Sequence, residues 1–75
     1  MERKTGLVLH VAGALANGRR RDIEATIARQ EGVFDAHFSA DRSRLMLVDY
    51  DPARISSFDI LAQVNAQNLH AARIS

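Results

Sequence analysis

Cysteine is missing altogether, and that absence removes more function classes than any other feature of the chain. Without thiols there is no disulfide framework, no thiolate metal site and no redox nucleophile of the usual kind. Tryptophan is also absent and aromatic residues make up only 5% of the chain, so a base-stacking platform for single-stranded nucleic acid has little material to be built from. A single proline and no low-complexity stretch exclude a proline-rich linker or a disordered tail. No long apolar run exists: Leu7, Val8 and Leu9 follow the charged start Met1-Glu2-Arg3-Lys4 and are too few for a signal peptide or a membrane span. A cytoplasmic location is therefore expected. Neither sign of charge dominates. Ten basic against nine acidic residues leave a formal charge of +1, too little to draw nucleic acid or anionic lipid by bulk field, so any electrostatic function is local.

What is present is a compact composition, 47% hydrophobic and 25% charged over 75 residues, enough for one domain over residues 1–75 and no second one. Thr5 to Val11 reads as a strand with Leu7, Leu9 and Val11 on one face, and Val8 and His10 on the other. Residues 12–18 read as a loop in which Asn17 caps a helix from about Arg19 to Gln30, with Ile23, Ile27 and Ala28 inward and Gly32 as the stop. A second strand, Val33 to Ser39, needs a bulge near Phe34 and Asp35 to bring Val33, Ala36 and Phe38 to one face. The turn Ala40-Asp41-Arg42-Ser43 leads into Arg44 to Tyr50, with Met46, Val48 and Tyr50 inward and Leu45, Leu47 and Asp49 outward. Ser56 and Asp59 have the spacing of an acidic capping box opening a second helix, whose buried stripe is Ile60, Leu61 and Val64. Asn68 suits a left-handed helix end, and Leu69 to Ile74 a last strand. The order βαββαβ predicts an α+β, ferredoxin-like sandwich: a four-stranded antiparallel sheet of order 4-1-3-2 with two helices on one face.

Val48-Asp49-Tyr50-Asp51-Pro52, Ile23-Glu24, Gly32-Val33 and the spacing from Pro52 through Ser56 to Ile60 and Val64 together resemble the heavy-metal-associated domain of copper chaperones and heavy-metal-pumping ATPases. The likeness runs from about Leu7 to Ile74. That family carries Gly-Met-Thr-Cys-x-x-Cys before its first helix, and the resemblance lays this stretch on Gly13 to Arg19. Gly13 is kept, Ala14 replaces the methionine, and Ala16 and Arg19 replace the two cysteines, while Asn68 stands where a glycine is usual. Cuprous ion needs thiolate or thioether donors; a methyl group offers none and a guanidinium repels a cation. Metal transfer of the family's kind is thus not expected, and no cofactor is implied.

Three constellations remain. Arg19-Arg20-Arg21 lies in the first turn of a helix, where the macrodipole disfavours each cation by about 0.3–1 kcal/mol. Something must offset this: Asp22 and Glu24 along the helix, an acidic protein partner, or a small anion held by Gly13, Asn17, Gly18, Arg19, Arg20 and Arg21. The loop lacks a P-loop ending, so nucleotide hydrolysis is not implied. His10, His37 and His70 are the only imidazoles. They fall on the helix-free sheet face, where His10 and His70 are on neighbouring strands and His37 on the far edge, so only a pair, completed across a homodimer, makes a metal site. Val8, Leu45 and Leu47, with Ala72, form an apolar group on that face, fit for a partner or for a second copy. Ser39, Ser43, Ser56, Ser57 and Ser75 have no matching His and Asp arrangement, so no catalytic residue and no enzyme is expected.

Overall fold

The computed structural model of the chain describes residues 4–13, 15–42 and 44–74. Expectations that fall on Met1 to Arg3, Ala14, Ser43 or Ser75 lie outside the described residues. The elements are β1 (Thr5–Val11), α1 (Asn17–Ala28), β2 (Val33–Phe38), β3 (Leu45–Tyr50), α2 (Ser57–Asn65) and β4 (Ala71–Arg73), and the sheet runs β2-β3-β1-β4, all antiparallel. This is the ferredoxin-like order expected from the pattern.

Alternation places the core. Leu7 and Leu9 of β1 face Val48 and Met46 of β3 in register, Val11 faces Ala71 of β4, and Leu7, Leu9, Val11, Met46 and Val48 are at most 1% exposed. The register between β2 and β3 shifts between Val33 and Asp35, which turns Phe34 outward and sends Ala36 and Phe38 inward, as the bulge requires. Ile23 and Ile27 of α1, with Ile60 and Val64 of α2, close the core from the other side. Each pair is spaced four residues apart, one turn along a single helix face. Fully burying an aliphatic side chain of this size contributes about 1.5–3 kcal/mol, so this layer holds the helices on one sheet face.

Three readings need correction. Helix α1 begins two residues earlier than expected and ends at Ala28, and Ala28 is exposed, because only Ile23 and Ile27 of that helix reach the core. Strand β3 starts at Leu45 rather than Arg44, whose carbonyl nonetheless accepts from Val11 N at 2.8 Å. Strand β4 is shorter than Leu69 to Ile74: Asn68 takes φ 62°, and the Asn65 side-chain oxygen accepts the Ala71 N–H at 2.8 Å. Pairing with β1 still continues past both ends of β4, through Ala12 N to His70 O at 2.9 Å and Ile74 N to Val8 O at 3.0 Å.

Ser39 N donates to Leu45 O at 2.8 Å, so the preceding amide, that of Phe38, points away from β3. The Glu24 carboxylate of α1 accepts it at 2.7 Å. A helix side chain therefore occupies one of the donors that edge strand β2 would otherwise offer to another chain.

Candidate functional site

The α1 entrance is built from the loop between β1 and α1. Gly13 turns the chain at φ +92°, and Leu15, packed against the core, pins it just before the helix. With Leu15 anchored, the helix starts at once. Ala16, extended at φ −66° and ψ 152°, is the N-cap and has no side chain that can accept a hydrogen bond. Asn17 is thus the first helical residue rather than the cap, and Gly18 belongs to the first turn rather than to a flexible loop. The first intrahelical bond runs from Arg20 N to Ala16 O at 3.0 Å. Among the described residues the amides of Asn17, Gly18 and Arg19 receive no side-chain acceptor, and the first turn contains no acidic residue.

The three arginines part ways. Arg19 Nη2 donates to the carbonyl of Gln67, just beyond the C-terminal cap of α2, where carbonyl oxygens and the negative end of the helix dipole favour a cation. Arg20 lays its guanidinium over the Phe38 ring, with Cζ 5.1 Å from the centroid. Its Nη1 is 3.5 Å from Asn17 Oδ1, while its Nε is buried with no partner among the described residues. A ring face is worth about 0.5–2 kcal/mol to a cation, against about 1–3 kcal/mol for an unmet buried donor, so the stacking offsets only part of the cost. Arg21 is exposed and forms no ion pair among the described residues.

Of the three ways to offset the arginines, pairing with Asp22 or Glu24 is not seen among the described residues. The ion pairs among the described residues are Lys4–Asp49 at 3.5 Å, His37–Asp35 at 2.8 Å and Arg54–Asp51 at 4.0 Å, and Glu24 is engaged by Phe38 N. The groups that do meet the cations, the Gln67 carbonyl and the Phe38 ring, were invisible in the sequence. They lie 48 and 18 positions away from the arginines they touch, where no helical spacing points.

On the helix-free face, β1 and β3 set Val8 opposite Leu47 and His10 opposite Leu45, and Val8, Leu45 and Leu47 are half-buried. His10 pairs with Ala72 across β1 and β4, and His70, exposed beside buried Leu69, lies just before β4 with its carbonyl accepting from Ala12 N. His37 is on β2, the opposite edge of the sheet, with Nδ1 against Asp35 Oδ2. No group of three or more His, Asp or Glu residues able to hold a metal occurs among the described residues. Ile74, 57% exposed, adds to the apolar surface here; the sequence placed it only at a strand end.

The layered arrangement just described is shared with solved domains of the ferredoxin-like class. No family model and no curated protein matches the chain. The N-terminal soluble domains of Bacillus subtilis CopA superpose with a TM-score of 0.82 at 24% identity, over 93% of this chain and 47% of that one. This chain thus spans about half the length of that structure. Oxidized MerP from Ralstonia metallidurans gives 0.84 at 16% identity, covering 97% of this chain and all of its own. The CopZ metallochaperone gives 0.80 at 16% identity, over 91% and 100% of the two chains. At these identities the likeness establishes the fold. No helix among the described residues is long and apolar enough to cross a membrane.

Proposed function

We propose that residues 1–75 act as one non-enzymatic binding module that docks an acidic segment of a partner protein at the α1 entrance, on Gly13, Asn17, Gly18, Arg19, Arg20 and Arg21. The observation that carries this reading is the helix start itself: amides without a cap, no carboxylate in the first turn, and three consecutive arginines beside them. Carboxylates from outside would supply what the chain leaves out, since anions are stabilised at helix N-termini and form short bonds to guanidinium. Metal delivery of the kind named for CopZ is not carried over. Where the sequence resemblance places two thiolates, this chain has a methyl group at Ala16 and, at Arg19, a cation already turned to Gln67.

The test is a titration of the isotope-labelled chain with a polyglutamate peptide and, separately, with inorganic phosphate, followed by amide chemical shifts. Peptide-induced shifts should concentrate on Gly13 and Asn17 to Arg21, weaken as salt shortens the Debye length from about 10 Å at 0.1 M, and vanish in the R19A/R20A/R21A variant. Saturation by phosphate alone would make a small anion the ligand instead, and silence from both probes sinks the reading.

A second reading takes His10, opposite Ala72 on β4, together with exposed His70 two positions before Ala72. Two copies packed through Val8, Leu45 and Leu47 would bring four imidazoles together, a set suited to zinc, nickel or Cu(II). Calorimetric titration with those ions that yields no saturable heat ends it.

A further inference from the structure

On the helix-free side, at the end of the sheet where β1 runs into the α1 loop, an open depression of ≈ 500 Å³ is lined by His10, Asp41, Arg42, Arg44, Leu45 and Ile74. Its shape follows from the register. His10 lies directly across from Leu45, and Ile74 is held beside β1 by the hydrogen bond that its N–H donates to Val8 O, so two aliphatic side chains form the floor next to one imidazole. The rim is set by the turn joining β2 to β3: Leu45 N donates to Arg42 O at 2.9 Å, Arg42 N donates to Ser39 Oγ at 3.2 Å, and Val11 N donates to Arg44 O at 2.8 Å. These backbone bonds fix where Arg42 and Arg44 leave the chain.

Neither arginine forms an ion pair among the described residues, although Asp41 lines the same depression. Two guanidiniums against one carboxylate leave the rim cationic, while Leu45 and half-exposed Ile74 keep the floor apolar. The volume lies within the range of about 300–1,000 Å³ typical of small-molecule sites, which combine an apolar lining with a few convergent polar groups. From this pairing of rim and floor we infer that the depression binds a single amphiphilic organic anion, a carboxylate or phosphate head joined to an apolar tail. The head is met by Arg42 and Arg44, whose planar forks match either oxyanion. The tail covers Leu45 and Ile74 and removes their surface from water. A bare inorganic anion would leave the floor wet; a neutral alkyl chain would leave the guanidiniums without a partner.

The test uses the labelled full chain and defined probes: decanoate and octyl phosphate below their micelle concentrations, against acetate, octanol and anionic phospholipid vesicles. Either tail-bearing anion should bind saturably, shifting His10, Leu45 and Ile74, and at least about tenfold more tightly than acetate or octanol, a ratio in keeping with one or two charge-assisted hydrogen bonds. The R42A/R44A variant should lose at least about tenfold in affinity with an unchanged circular dichroism spectrum, and I74S should erase the preference over acetate. The R19A/R20A/R21A variant should bind these probes as the parent does, which separates this site from the α1 entrance. Octanol binding as tightly, an R42A/R44A variant that binds normally, association with vesicles only, or no saturable shift with any probe would each overturn the inference.

Discussion

Helices α1 and α2 run antiparallel over the same sheet face, and their entrances are built in opposite ways. At α2 the Ser56 hydroxyl accepts from Asp59 N at 3.0 Å while the Asp59 carboxylate accepts from Ser56 N at 3.3 Å, a complete capping box with its acid in the first turn. At α1 the cap is Ala16, no side chain among the described residues answers the free amides, and arginines stand where acids would be expected. One entrance is satisfied from within the chain; the other is left electropositive and open. Local rules broken at one point of an otherwise consistent fold are expected at functional or strained sites. The difference between the two entrances is therefore the physical basis of the proposed docking site.

The α2 entrance is also braced from behind, and breaking that brace should have the largest effect. Gly32, in the turn that follows α1, sits at φ +94° with its carbonyl accepting from Asp51 N at 2.7 Å, against the residues that lead into α2. A Cβ there would lie 2.8 Å from Arg54 Cβ and 3.0 Å from Ile55 Cγ2. Gly32→Ala should lower stability by about 1–2 kcal/mol for the positive φ and by another 1–3 kcal/mol or so for the crowding. Urea unfolding, read from the midpoint at constant slope, measures the sum; a loss below about 1 kcal/mol would show that the brace is soft.

Next in size is the box itself. Ser56→Ala removes the oxygen that serves Asp59 N and should lower stability by about 1 kcal/mol, within the range of about 0.5–2 kcal/mol found for such caps. The converse change builds a cap where none exists: Ala16→Asp should raise stability by roughly 0.5–1 kcal/mol, since Asp at this position accepts from the first-turn amides and suits the dipole. It should also weaken polyglutamate binding, because the new carboxylate occupies the donors the peptide would use. A stabilised A16D chain that binds the peptide as before would separate helix capping from docking and remove the basis of the comparison.

The α2 entrance was legible in the sequence and the α1 entrance only in part, for one reason. A capping box is a local device, fixed by two residue types three positions apart, and Ser56 and Asp59 announce it. The bulge at Phe34, the left-handed Asn68 and the inward sets on β1 and β3 are equally local, and each was readable from alternation or turn chemistry. At α1 the deciding contacts are tertiary. Leu15 anchoring on the core moved the helix start to Asn17, and the Gln67 carbonyl and Phe38 ring took up two arginines. Spacing along the chain holds no trace of such partners. Charge counting singled out the arginines and left Asp22 and Glu24, an acidic partner or a small anion to compensate them; among the described residues Glu24 instead accepts from Phe38 N at the edge of β2.

The smallest expected effect is also the most discriminating. Arg19 is placed against its own helix dipole, at a cost of about 0.3–1 kcal/mol, and this is offset by one exposed hydrogen bond to Gln67 O, which solvent reduces from the roughly 1.5–3 kcal/mol of a buried charged donor to about 1 kcal/mol. The two nearly cancel. Arg19→Ala should therefore change stability by less than about 0.5 kcal/mol while reducing polyglutamate binding, as a residue kept for a ligand does. A stability loss above about 2 kcal/mol would make Arg19 a latch that closes α1 onto the end of α2, and the α1 entrance would then be as self-sufficient as that of α2.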